Sequence, residues 1–209
     1  MRNRRGTEVY SKSENAVVSQ FEFWLWVESR HSPFRGRVRK TEMVGSHRIL
    51  ILGNSGSGKS WLGNKLAQRL KAPFTELDGL HWVPGGFNQR RPADEAKDAV
   101  RNAAALDAWI IEGVFGWLAR EALSRTTILV WLVIPEDECV GNLKSRPIKS
   151  GEDQESRSAL LQWCSEYKTR KNANSYLGHL DIYEGFVGEK HLLSTRDEIE
   201  GFLSAFDHG

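Results

Sequence analysis

The sequence predicts an α/β domain built on a parallel sheet. Two short runs of unbroken apolar residues, Ile49-Leu50-Ile51-Leu52 and Ile128 to Ile134, have the character of strands buried on both faces. Around them, helix-spaced apolar residues alternate with further strand-like segments. A glycine-rich turn joins the first strand to the first helix, and this junction is the third observation that points to the class.

Each element can be justified in order. After the glycine turn, Leu62, Leu66 and Leu70 recur every four residues and predict a helix. Pro73 to Leu77 reads as a second strand ending at Asp78. Pro92-Ala93-Asp94-Glu95 opens a helix to about Leu106, with proline and acids where a helix N-terminus prefers them. Trp109-Ile110-Ile111 is a third strand, closed by Glu112-Gly113. Ile128 to Ile134 forms a central strand, and Pro135-Glu136-Asp137-Glu138 then starts a helix with Cys139, Val140 and Leu143 on one face. The polar, charged stretch Pro147 to Arg157 predicts a loop or lid, after which Leu160, Cys164 and Tyr167 restore helical spacing. Lys190 to Ser194 makes a last short strand. Thr195-Arg196-Asp197-Glu198 predicts a capping box at the head of a final helix.

Composition bounds the function. With 209 residues, 40% of them hydrophobic and 27% charged, the chain can bury a sizeable core, and wholesale disorder is excluded. No apolar run approaches the ~20 residues needed to cross a bilayer, so no membrane partner is expected. Two cysteines cannot make a disulfide framework, and no Cys/His cluster has zinc spacing. A cytoplasmic location is the expectation. The formal net charge of +2 gives no reason to expect nucleic acid.

The charge is unevenly spread. Residues 1–42 hold nine Lys/Arg against five Glu, while the remainder is slightly acidic. The aromatic patch Phe21 to Val27 is too short, and too interrupted by Glu22, for a secretory signal. The expected organisation is therefore a basic extension over 1–42 and a single domain over 43–209. Either the extension is a true arm, or it precedes a real start at Met43; the pattern favours the second.

The chemistry concentrates in Gly53-Asn54-Ser55-Gly56-Ser57-Gly58-Lys59-Ser60, a complete G-x-x-x-x-G-K-S Walker A sequence following a strand and opening a helix. Its glycines let successive N–H groups converge on an anion, and the helix dipole adds positive potential. Lys59 reaches the β- and γ-phosphates, Ser60 offers a hydroxyl to Mg²⁺, and the Trp61 N–H reaches the α-phosphate. No N-K-x-D guanine signature is present, and the strand Ile128–Ile134 ends in Pro135 where a long acidic Walker B strand would carry a carboxylate. GTPases and ring ATPases are disfavoured accordingly.

With the P-loop, Leu77-Asp78-Gly79-Leu80-His81-Trp82, Trp109-Ile110-Ile111-Glu112-Gly113, and Ile134-Pro135 with the downstream Arg146, the stretch from Arg48 to Phe206 resembles a small nucleoside or nucleotide kinase of the adenylate-kinase-like superfamily. More narrowly, it resembles a bacterial group labelled AAA family ATPases or DNA topology-modulation proteins. The resemblance implies a three-layer P-loop NTPase sandwich with a five-stranded parallel sheet in the order 2-3-1-4-5. It further implies a short lid at about 144–157 and an acceptor-binding segment at about 78–107. ATP and Mg²⁺ are the implied cofactors, and phosphoryl transfer to a small molecule, of the nucleoside or nucleotide kind, is the implied activity. A monomer or homodimer is expected.

Residue by residue, the likeness gives roles that compete with plainer ones. Asp78 binds or deprotonates the acceptor hydroxyl, or it starts the turn before Gly79. His81 and Trp82 line the same pocket or pack at its rim. Glu112 stands where adenylate kinases place the aspartate that orders Mg²⁺; one methylene longer, it could act as base, or merely precede Gly113. Arg146 is placed as a lid arginine that neutralises the transferred phosphoryl group, and Arg157, Arg170 and Lys171 could close from the other side, Arg170 onto the nucleotide. Arg90 and Arg91 hold an acceptor phosphate or remain solvated. Two departures stand out: Trp61 replaces the second hydroxyl residue of many P-loops, and the lid lacks the cysteine cluster of some adenylate kinases. From another functional class, the alternative is an ATP-binding regulatory protein with slow ATPase activity.

Overall fold

The computed structural model describes residues 47–83, 89–147 and 153–207. The extension over 1–42 and the middle of the expected lid lie outside them. Five strands, β1 (Arg48–Gly53), β2 (Phe74–Glu76), β3 (Trp109–Gly113), β4 (Ile128–Leu132) and β5 (Glu189–Leu193), form one parallel sheet in the order β2-β3-β1-β4-β5. The helices are α1 (Lys59–Leu70), α2 (Leu77–His81), α3 (Ala93–Ala104), α4 (Gly116–Ala119), α5 (Glu136–Ser145), α6 (Gln154–Ser165), α7 (Tyr176–Gly185) and α8 (Arg196–Ser204), with a 3₁₀ helix over Arg120–Arg125.

Alternation along the strands divides the interior into two cores. Leu50, Leu52, Trp109, Ile111, Leu129 and Trp131 face one side, where α3, α4 and α7 bring Val100, Leu118 and Ile182. Ile49, Ile51, Ile110, Ile128, Val130 and Leu132 face the other, where α1, α5, α6 and α8 bring Leu62, Cys139, Cys164 and Ile199. Side chains two apart share a face of a strand, so unbroken apolar runs at the sheet centre are what a three-layer arrangement demands. The fold and strand order agree with the expectation.

Local differences have physical reasons. The second strand stops at Glu76, and Asp78 lies in the first turn of α2. There the chain bends because Leu77 tucks fully buried over Gly113, where even a Cβ would come within 2.6 Å of it. β4 ends at Leu132, although the Val133 N–H still reaches the Leu193 carbonyl at 2.8 Å and Ile134 stays buried. The expected lid stretch gives way to α6 at Gln154, because the Asp153 side chain accepts from the Ser156 N–H at 2.8 Å and caps the helix. The capping box at Thr195 and Glu198 is present. The short α4 with its 3₁₀ continuation, and all of α7, had no clear periodicity.

Candidate active site

The site is built where β1, β3 and β2 end, the edge at which open parallel sheets place their ligands. Beyond Gly53 the chain turns through Gly56 and Gly58, at φ 77° and 96°, into the N-terminus of α1. These are left-handed conformations that only glycine adopts without strain. Space is also closed: a Cβ on Gly56 would stand 2.3 Å from the Cys139 carbonyl oxygen, and one on Gly58 2.7 Å from Arg196 Nη1. The first N–H groups of a helix have no partner within it, so this turn presents donors to an anion.

The loop is braced from behind. Asn142 Nδ2 donates to the Gly56 carbonyl at 2.9 Å, and Arg196 Nη1 to the Ser57 carbonyl at 3.4 Å while its Nε holds Glu138 at 2.6 Å. Asn54, expected on the nucleotide, turns its side chain inward. Its amide donates to the Cys164 carbonyl at 2.8 Å and its oxygen accepts from the Ser55 N–H at 2.9 Å. Lys59 folds back, its Nζ donating to the Asn54 carbonyl at 2.7 Å. Trp61 projects to the surface.

Opposite Lys59 stands Glu112, at the end of β3 and 2% exposed. Ser60 Oγ donates to its Oε1 at 2.7 Å, and its buried Oε2 has no hydrogen-bond partner. Burial pushes the Glu112 carboxyl up to about 7, against the pull of Lys59 and Ser60 and with the help of the Asp78 and Glu76 charges. Glu76 is directly in register with Glu112 on β2. The charges of Asp78 and Glu76 are therefore felt at Glu112, although among the described residues no three acidic, histidine or cysteine side chains stand close enough to hold a metal ion between them. A hydroxyl and a carboxylate oxygen, with a second buried oxygen unsatisfied, are a fitting donor set for a hard dication such as Mg²⁺.

A second wall starts at Asp78. His81 is buried, its Nδ1 has no hydrogen-bond partner, and its ring meets Trp82 at 4.4 Å, Phe115 at 4.1 Å and Trp117 at 5.8 Å. Burial, then the Arg90 charge, hold its imidazolium below the usual histidine range, while Asp78 opposes them. Arg90 pairs with Trp82 in an antiparallel bridge, and Arg91 Nε donates to the Leu80 carbonyl at 3.0 Å. Asp78, His81, Trp82 and Arg90 are thus brought together, and Arg91 secures the backbone of the same wall.

The lid arginines sort differently. Arg146 follows the end of α5, half-buried. Arg157 Nη2 donates to the carbonyls of Leu143, Lys144 and Arg146 at 3.1, 2.9 and 3.1 Å, covering the negative end of α5. Arg170 lies over the Trp163 ring, 3.5 Å from its centroid, bonded to the Trp163 carbonyl and, at 2.9 Å, to that of Asn174. In this arrangement its guanidinium fixes the loop after α6. Among residues without a sequence-based role, Glu76, Phe115, Trp117, Glu138, Asn142 and Arg196 surround the site. Only Glu76 carried a signal, two positions before Asp78.

A phosphate loop joined to a serine–carboxylate pair on this sheet order defines a P-loop phosphoryl-transfer fold. No family model matches the chain. A shikimate kinase from Symbiobacterium thermophilum is 35% identical over 135 residues, which cover 54% of this chain and 75% of the relative. Among solved structures, a gluconokinase from Sinorhizobium meliloti 1021 aligns at TM-score 0.47 and 20% identity, over 78% of this chain and 94% of that one. A shikimate kinase from Bacteroides thetaiotaomicron aligns at TM-score 0.43 and 19% identity, over 76% and 95%. The chain belongs to the family of the Symbiobacterium relative, within the adenylate-kinase-like superfamily of ATP-dependent small-molecule kinases.

Proposed function

We propose that the protein transfers the γ-phosphoryl group of Mg·ATP to a hydroxyl of a small acceptor carrying a planar ring, of the nucleoside or nucleotide class. The observation that carries the reading is the Ser60–Glu112 pair at 2.7 Å, at the mouth of the phosphate loop, with Glu112 buried and its Oε2 unsatisfied. Ser60 and Glu112 would hold Mg²⁺, which draws charge from the phosphate oxygens when bound. Lys59 leaves the Asn54 carbonyl for the phosphates, and the loop N–H groups fix the chain of phosphates in line.

Asp78 orients the acceptor hydroxyl and takes its proton as the oxygen attacks. The aromatic surfaces of Trp82 and Trp117 beside His81 favour a flat ring, and Arg90 would meet a negative substituent on it. Arg146, at the start of the expected lid, would steady charge on the transferred group.

Acceptor-dependent ADP release, measured across a panel of nucleosides, nucleotides, shikimate and gluconate, tests the reading. Turnover with a nucleoside or nucleotide supports it. Turnover with shikimate or gluconate alone replaces the acceptor class. Slow ATP hydrolysis unchanged by every acceptor supports the regulatory ATPase instead.

A further inference from the structure

The only two cysteines of the chain meet beneath the phosphate loop. Cys139 on α5 and Cys164 on α6 are free and fully buried. The Cys139 thiol donates to the Ile134 carbonyl at 3.7 Å and lies within interaction range of the Cys164 sulfur. Both are tied to the loop as well. Cys164 Sγ donates to the Ser55 carbonyl at 3.2 Å and receives the Asn54 amide at 3.3 Å, while the backbone carbonyl of Cys139 abuts Gly56. The helices that carry them flank the expected lid segment.

We propose that Cys139 and Cys164 are a reversible oxidation site: peroxide joins them in a disulfide that links α5 to α6 and weakens nucleotide binding. The chemistry balances with hydrogen peroxide as oxidant. The Cys164 sulfur attacks one peroxide oxygen, the O–O bond breaks, and a sulfenic acid forms with loss of water. The Cys139 sulfur then attacks that sulfur, the S–O bond breaks, and a second water leaves; two thiols have been oxidised and one peroxide reduced.

The order of attack follows from the surroundings. The neighbouring Cys139 thiol, then donation from Asn54, together with the Lys59 charge, favour the thiolate of Cys164 despite its burial. Cys139 is pushed the opposite way by the neighbouring Cys164 and by burial, which suits a resolving thiol. Peroxide is small and uncharged, so local opening of the native state suffices for access. Oxidation removes the hydrogen that Cys164 gives to Ser55 and redraws the support of Asn54, so the loop loses its shape from behind.

The test uses the full chain. After peroxide treatment and removal of excess oxidant, the expected result is no titratable thiol under denaturing conditions, in a monomer lighter by two hydrogens. Calorimetry then reads Mg·ATP affinity, which should fall about tenfold, the equivalent of about 1.4 kcal/mol, and return with dithiothreitol. In Cys139→Ser, no disulfide forms and the dithiothreitol-reversible loss of affinity disappears. Two free thiols after exposure, a disulfide between two chains, or an intramolecular disulfide with unchanged Mg·ATP affinity overturns the proposal. Because the readouts are thiol content and nucleotide binding, they stand apart from the identity of the acceptor.

Discussion

The two halves of the site are made of different material. On the phosphate side, one continuous octapeptide supplies backbone donors, an ammonium and a hydroxyl, and a single strand end adds Glu112. On the proposed acceptor side, Asp78 and His81 come from α2, Phe115 and Trp117 from beyond β3, and Arg90 from the segment before α3. Backbone geometry can be specified by a local motif, since glycines and a helix start suffice. A wall of side chains is specified only by tertiary packing. The phosphate side should therefore fail sharply when single residues change, and the acceptor side should reveal which molecule it fits.

The largest expected effect lies between the halves. Asp78→Asn keeps shape and removes charge, so transfer should fall on the order of a hundredfold or more while Mg·ATP affinity stays nearly intact. Glu112→Gln should slow transfer to a similar degree and raise the Mg²⁺ concentration required, and Lys59→Ala should weaken nucleotide binding or uncouple it from turnover. Metal titrations on both carboxylate variants decide the comparison. If Asp78→Asn alone raises the Mg²⁺ requirement, the two residues exchange roles.

Next in size is Gly56→Ala. A Cβ there meets the Cys139 carbonyl at 2.3 Å on a left-handed backbone, so urea unfolding should show a loss of about 2–4 kcal/mol. An unaltered midpoint would mean that the loop is far more yielding than its packing implies.

A smaller effect reports on the scaffold behind both halves. His179 is fully buried, donates from Nε2 to the Val114 carbonyl at 2.9 Å, and accepts at Nδ1 from the Tyr167 hydroxyl at 2.6 Å. That hydroxyl in turn accepts from Trp131 Nε1 at 3.1 Å. Burial holds the imidazole neutral, its pKa lowered from 6.5 to about 3. A base depressed in the fold contributes stability that is complete above about pH 6.5 and is lost as pH falls toward about 3. From pH 7 to 5, unfolding free energy should drop by about 2 kcal/mol through this group, at about 1.4 kcal/mol per pH unit. His179→Gln should lack that part of the pH dependence in parallel urea titrations.

The smallest effect is expected at the chain's start. A chain beginning at Met43 should melt within ~5 °C of the full one and bind Mg·ATP equally. A larger fall would join the basic extension to the fold.

How far the sequence spoke follows the same division. β1, β4 and the turn at Gly56 were legible because buried parallel strands and phosphate loops are local patterns. Glu112 was legible because it ends an apolar strand beside that pattern. The inward turn of Asn54 was not, since its partner Cys164 lies 110 residues away. Nor was the use of Arg170, whose place over Trp163 depends on a loop without periodicity. The short helix over Leu77–His81 was not legible for a similar reason: Leu77 bends there to fill the space that Gly113 leaves on β3.

The bond from Lys59 Nζ to the Asn54 carbonyl ties the side chain to its own loop. A tethered partner acts at an effective concentration of roughly millimolar. On the proposed reading, phosphate would bind by substitution, exchanging places with an oxygen that the chain itself supplies. That exchange would lower affinity, and in return the ammonium would be already seated in the loop.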